Sequence, residues 1–133
     1  EAYKNAGIAD PLGEIDFVEL HDAYTSSEIQ TYEDMGLCRY GEGGVFAASG
    51  KAFMPSVDYG LDLPEKPICA VNPSGGLIAC GHPVGATGTR QVLDAYKQVS
   101  GTAGDYQVEG AKRVATLNLG GSGTTSVSFI VGV

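Results

Sequence analysis

Only two imidazoles occur in the 133 residues, at His21 and His82. The first closes an apolar run, IDFVELHDAY; the second sits in NPSGGLIACGHPVGATG, between a glycine and a proline. Imidazole exchanges protons near neutral pH, so either position could carry acid/base chemistry. If a helix starts at Pro83, His82 stands beside free backbone N–H groups with partial positive charge. That setting disfavours the imidazolium. It leaves a ring that donates from one nitrogen and accepts at the other, fit to activate a nucleophile or polarise a carbonyl. Gly81 lets a substrate or second backbone come close, and Gly75 and Gly76 permit the turn before it. The plainer reading of the same residue is a histidine capping a solvated helix end. A phosphate-loop reading of GATGTR fails for want of the Gly-Lys-Ser/Thr ending.

The elements that would carry these groups can be read from the pattern. EAYKNAG is a helix closed by Gly7. Ile15 to Leu20 is a short strand with His21 and Asp22 at its end. TSSE fits a capping box with Thr25 as N-cap and Glu28 three residues on, opening a helix to about Met35 that Gly36 closes. Residues 38–67, rich in Gly and Pro, read as one long irregular stretch. Ile68 to Val71 is a short strand or bridge. Val84, Gly88, Val92, Ala95, Tyr96 and Val99 recur on one face of a helix that begins at Pro83 and stops at Gly101. Arg113 to Leu119 and TTSVSFIVGV flank a Gly/Ser loop and form an adjacent strand pair. The order α, β, α, loop, α, β, β describes one layered α/β unit over residues 1–133. Glu1 opens on a helix already under way, so the chain reads as a fragment or one half of a longer protein.

Composition narrows the partners. The apolar share of 43% and charged share of 18% are ordinary for a folded domain. A formal net charge of −8 argues against nucleic acid or anionic membrane as the main partner. No apolar run approaches the roughly 20 residues that span a bilayer. Three scattered cysteines, Cys38, Cys69 and Cys80, form neither a disulfide framework nor a metal-binding spacing. They fit a reducing, cytoplasmic setting with no metal. Cys80 reads as a buried small residue rather than a nucleophile.

Taken together, the segments resemble the thiolase family. NPSGGLIACGHPVGATG is similar to the Asn-x-x-Gly-Gly…Gly-His-Pro-x-Gly-x-x-Gly block of the C-terminal half. IDFVELHDAY and GLCRYGEGG look like the sterol-carrier-type and archaeal branches, and LNLGGSG lies where thiolases place their last glycine-rich loop. The matches run in family order along the whole chain. The resemblance implies the second half of a βαβαβαββ fold with a mixed sheet, missing its first strand. It also implies an N-terminal half that holds a nucleophilic cysteine. The substrate would be a coenzyme A thioester, with no covalently bound cofactor, in Claisen condensation or thiolysis. His82 would activate that cysteine and His21 would line the oxyanion hole. Asn72, Gly81, Asn118, Gly120 and Gly121 would line the substrate site, with Asp22 capping or orienting His21. The usual places for a second cysteine hold Asn118 and Ala23, so His21, Tyr24 or a substrate-side group would serve as second base. A thiolase-like aldolase or a non-catalytic lipid-transfer or scaffold subunit are the alternatives. Implied partners are a small OB-fold and zinc-ribbon subunit and, for the longer protein, a second copy of itself.

Overall fold

The computed structural model describes residues 1–133. A four-stranded mixed sheet holds the chain together: β1 (Phe17–Leu20), β2 (Ala70–Val71), β3 (Arg113–Gly120) and β4 (Thr125–Gly132), in the order β2-β1-β3-β4. β1 runs parallel to both neighbours, with Phe17 opposite Val114 and Leu20 opposite Leu117. β3 and β4 pair antiparallel from Arg113–Gly132 to Gly120–Thr125. The expected strand pair across GGSG is therefore a hairpin. Its turn is the short 3₁₀ segment Gly121–Gly123, where Ser122 adopts a positive φ of 57°. The strand at Ile68–Val71 shrinks to two residues because only Ala70 and Val71 reach β1.

Helices α1 (Ala2–Ala6), α2 (Pro11–Glu14), α3 (Thr25–Asp34), α4 (Gly43–Ser49), α5 (Gly76–Cys80) and α6 (Thr87–Val99) complete the unit. Strand alternation sends Val18, Leu20 and Ala115 into an apolar core with Ile15, Tyr32, Leu37 and Phe46. Phe17 and Val114 face the other way, toward Ala95 of α6 and Val108.

Four expectations need correction. α6 starts at Thr87, not Pro83. Residues 83–86 form a turn in which Pro83 O accepts from the N–H groups of Ala86 and Thr87, at 2.7 and 3.1 Å. The stretch 38–67 contains α4, hidden in the sequence because its first residues are Gly43 and Gly44. The N-cap of α3 is Tyr24 rather than Thr25. The Ser27 hydroxyl, not Glu28, accepts from the Tyr24 N–H at 3.2 Å and donates to the Tyr24 carbonyl at 2.8 Å. Glu28 instead accepts from the Tyr32 hydroxyl. Finally, α6 buries Thr87, Gln91, Asp94, Ala95 and Gln98, while Val84 is 80% and Tyr96 60% exposed. The face turned to the sheet is polar because β1 and β3 meet it with Glu19 and Thr116, themselves buried and polar.

Candidate active site

β1 ends by delivering His21 to the rim of the sheet. Asn72 fixes that end: its Oδ1 accepts from the Leu20 N–H at 2.7 Å, and its own N–H donates to Val18 O at 2.8 Å. The cost is a positive φ of 49°, which asparagine tolerates better than most residues. Glu19, fully buried, accepts from the N–H and hydroxyl of Ser74 at 3.1 and 2.7 Å and so ties the NPSGG turn to β1. Burial pushes its carboxyl up to about 7, against the pull of Ser74.

The turn then enters α5. Asp22 caps it, accepting from Leu77 N–H at 2.7 Å and from Ile78 N–H at 3.4 Å. Gly76 has to be glycine here: a Cβ would lie 2.3 Å from an Asp22 carboxylate oxygen, and its φ is +61°. Of the two roles open to Asp22, the contacts are those of a cap, and they lie on the helix rather than on His21. α5 ends at Gly81, with φ 77° and ψ 174°, and the chain turns into His82.

The two imidazoles meet. Their ring centroids lie 4.9 Å apart and the planes cross at 83°. His21 is buried, and its Nδ1 donates to Asn118 Oδ1 at 2.7 Å, since an amide oxygen can only accept. His82 is exposed on the cleft wall, and its Nδ1 lies 2.7 Å from the hydroxyl of Thr87. Thr87 donates its proton to Pro83 O at 3.3 Å, so its oxygen accepts the Nδ1–H of His82. In the uncharged form each ring is therefore held through Nδ1–H, leaving an Nε2 lone pair. An uncharged His21 so held is an acceptor. It donates to an oxyanion only while it carries a second proton.

Both rings line one cleft of about 780 Å³ with Ala23, Tyr24, Asn118, Gly120 and Gly121. Asn72 borders a different cavity, and Gly81 stays outside the cleft wall as the link into His82. Sequence reasoning missed Thr87 and Gly88. Asn118 passes so close to α6 that a Cβ on Gly88 would lie 2.8 Å from its Nδ2. The signal was present in GATGTR, where a hydroxyl and a glycine open the helix after His-Pro. Cys69 is buried, and desolvation pushes its thiol up to about 12, which suits a structural residue. Cys80 is exposed, not buried as expected, because it closes α5 at the surface and donates to Ser74 O at 3.2 Å.

The fold is a mixed α/β unit whose four-stranded sheet carries two facing imidazoles at its rim. The family model for the thiolase C-terminal domain-like group matches residues 1–133, and the chain belongs to that family. It is 44% identical over 118 residues to an acetyl-CoA acetyltransferase of Methanothermobacter thermautotrophicus, covering 89% of this chain and 28% of that protein. It is 38% identical over 129 residues to sterol carrier protein 2 of Rattus norvegicus, covering 97% of this chain and 21% of that one. Among solved structures it resembles an Ltp2–ChsH2(DUF35) aldolase with a TM-score of 0.75 at 24% identity, over 99% of this chain and 30% of that one. The chain thus spans under a third of each. No helix is long and apolar enough to cross a membrane.

Proposed function

We propose that the chain is the C-terminal catalytic half of an acyl-CoA C-acyltransferase, acting on a thioester held between it and an N-terminal half with a nucleophilic cysteine. The observation that carries this reading is the pairing of His21 and His82, 4.9 Å apart, each anchored through Nδ1 and open at Nε2. His82 Nε2 takes the proton of the cysteine thiol as the thiolate attacks the first acyl-CoA. The C–S bond to coenzyme A breaks, and the departing thiolate recovers that proton. His21 Nε2 then removes a proton from the carbon next to the second thioester. The resulting carbanion attacks the acyl-enzyme, forming a C–C bond as the enzyme C–S bond breaks. The cysteine thiolate takes the proton back from His21. His21 supplies the base that neither Asn118 nor Ala23 can. Once protonated it donates to the developing oxyanion, which joins the two roles the sequence left open. The substrate is a coenzyme A thioester and no resident cofactor is required. We extend the reading to a small OB-fold and zinc-ribbon subunit and to self-association of the intact protein.

One observation favours a second reading. With Asn118 and Ala23 in place of cysteine, a protein that also lacked the upstream cysteine would suit cleavage of a C–C bond in an acyl-CoA, as in an aldolase. Condensation and thiolysis assays on the intact protein, with and without mutation of the upstream cysteine, separate the two. Acetoacetyl-CoA thiolysis abolished by that mutation supports acyl transfer. Retro-aldol turnover indifferent to it supports the aldolase. Neither turnover in the intact protein would sink both.

A further inference from the structure

We infer that Glu19 and Asp22 are positioning residues for His82: two carboxylates at one strand end hold α5, and α5 sets where the second imidazole stands. The effect of this on turnover rests on the acyl-transfer reading above; the placement itself rests on geometry. A helix of five residues does not support itself, because fixing its first turn costs more than its one or two hydrogen bonds return. Apolar packing does little to help α5. Only Gly76 and Leu77 are buried, Leu77 belongs to neither apolar cluster of the sheet, and Ile78, Ala79 and Cys80 are exposed. The holding contacts are polar and come from β1 and its end. Glu19 accepts from the N–H and hydroxyl of Ser74, two residues ahead of Gly76, at 3.1 and 2.7 Å. Asp22 accepts from the Leu77 and Ile78 N–H groups at 2.7 and 3.4 Å. Both carboxyl groups are buried, so little water competes for them.

The two imidazoles depend on these anchors unequally. His21 follows β1 directly and is held by Asn118 of β3, so its place does not pass through α5. His82 spans two elements: Gly81 ties it to the end of α5, and its Nδ1 meets Thr87, the first residue of α6, at 2.7 Å. That contact lasts only while the end of α5 stays in place. β1 therefore sets His21 at first hand and His82 through Glu19 and Asp22, and the 4.9 Å between the rings is fixed from a single strand end.

The test uses the intact protein. Glu19→Leu and Asp22→Ala remove the anchors, while Glu19→Gln and Asp22→Asn keep the shape and an accepting oxygen. In acetoacetyl-CoA thiolysis, kcat per folded molecule should fall at least about tenfold in the first pair with KM within about twofold, since displacing a reacting group by on the order of 1 Å can cost about 100-fold. The amide variants should recover most of the loss. Should a truncation fail to fold, Ser74→Ala removes only the hydroxyl bond to Glu19 and should cost about threefold in kcat. Ring ¹⁵N shifts read the placement without turnover. In Glu19→Leu and Asp22→Ala the His82 signal, freed from Thr87, should move toward the Nε2–H form while His21 keeps its Nδ1–H. Unchanged kcat in every anchor variant that folds, or a His82 signal unmoved in all of them, overturns the proposal. If the unmutated protein shows no thiolysis but the His82 signal moves as described, the placement stands and the acyl-transfer reading falls.

Discussion

Toward α1 and α3 the sheet meets hydrocarbon; toward the first turns of α6 it meets amides, hydroxyls and carboxylates. On the first side Val18, Leu20, Ala115, Tyr32 and Leu37 pack as one apolar cluster. On the second, Phe17 and Glu19 of β1 and then His21 just past its end grade from apolar to polar toward the cleft, on the side of Gln91, Asp94 and Thr87 of α6. Burying polar groups adds little net stability even when they are paired, but it fixes directions closely. The apolar face holds the domain together, and the polar face sets where two ring nitrogens point.

That contrast can be broken at either side. Leu37, almost wholly buried in the apolar cluster, should cost about 3 kcal/mol of stability as Leu37→Ala. Urea unfolding reads this, and activity per folded molecule should hold. On the polar side, His82→Ala should lower turnover of the intact protein by more than about 100-fold with little change in the unfolding midpoint. A loss under about tenfold would reduce His82 to a surface cap. Glu19 tests the polar layer itself. Its carboxyl, raised to about 7 by burial, binds a proton more tightly folded than unfolded. Stability from that proton is full below the unfolded value and is lost as pH rises through about 7. Glu19→Gln should therefore leave stability at pH 5 nearly unchanged and raise it by on the order of 2 kcal/mol at pH 8. A pH profile parallel to the unmutated one would contradict the burial. The smallest effect belongs to Thr87→Val, which removes the acceptor of His82 Nδ1–H. About a fivefold loss of turnover is expected, with Thr87→Ser recovering most of it.

The apolar face was the legible one. The apolar Ile15, Phe17, Val18 and Leu20 between turn residues gave β1, and two β-rich runs around GGSG gave the hairpin, because short strands need only local pattern and turn chemistry. The two histidines stood out by residue type and by their glycine and proline neighbours. What failed lay where tertiary contact overrides pattern. The apolar period of α6 marked a helix but not its buried side, since Glu19 and Thr116 reward a polar underside that no periodicity foretells. α5, five residues long, is too short for a period to register and exists because Asp22, 55 residues earlier, caps it. GATGTR offered the Thr87 hydroxyl, but its partner stayed hidden because the turn at Pro83–Ala86, not spacing, brings it to His82.

The central claim is that both imidazoles present an Nε2 lone pair to one cleft, and ring ¹⁵N chemical shifts of the histidines measure that directly. At a pH where both rings are uncharged, each should resonate as the Nδ1–H tautomer, the minor form of free histidine in water. An Nε2–H signal for either ring would mean that Asn118 or Thr87 does not hold it, and the paired-base geometry would fall.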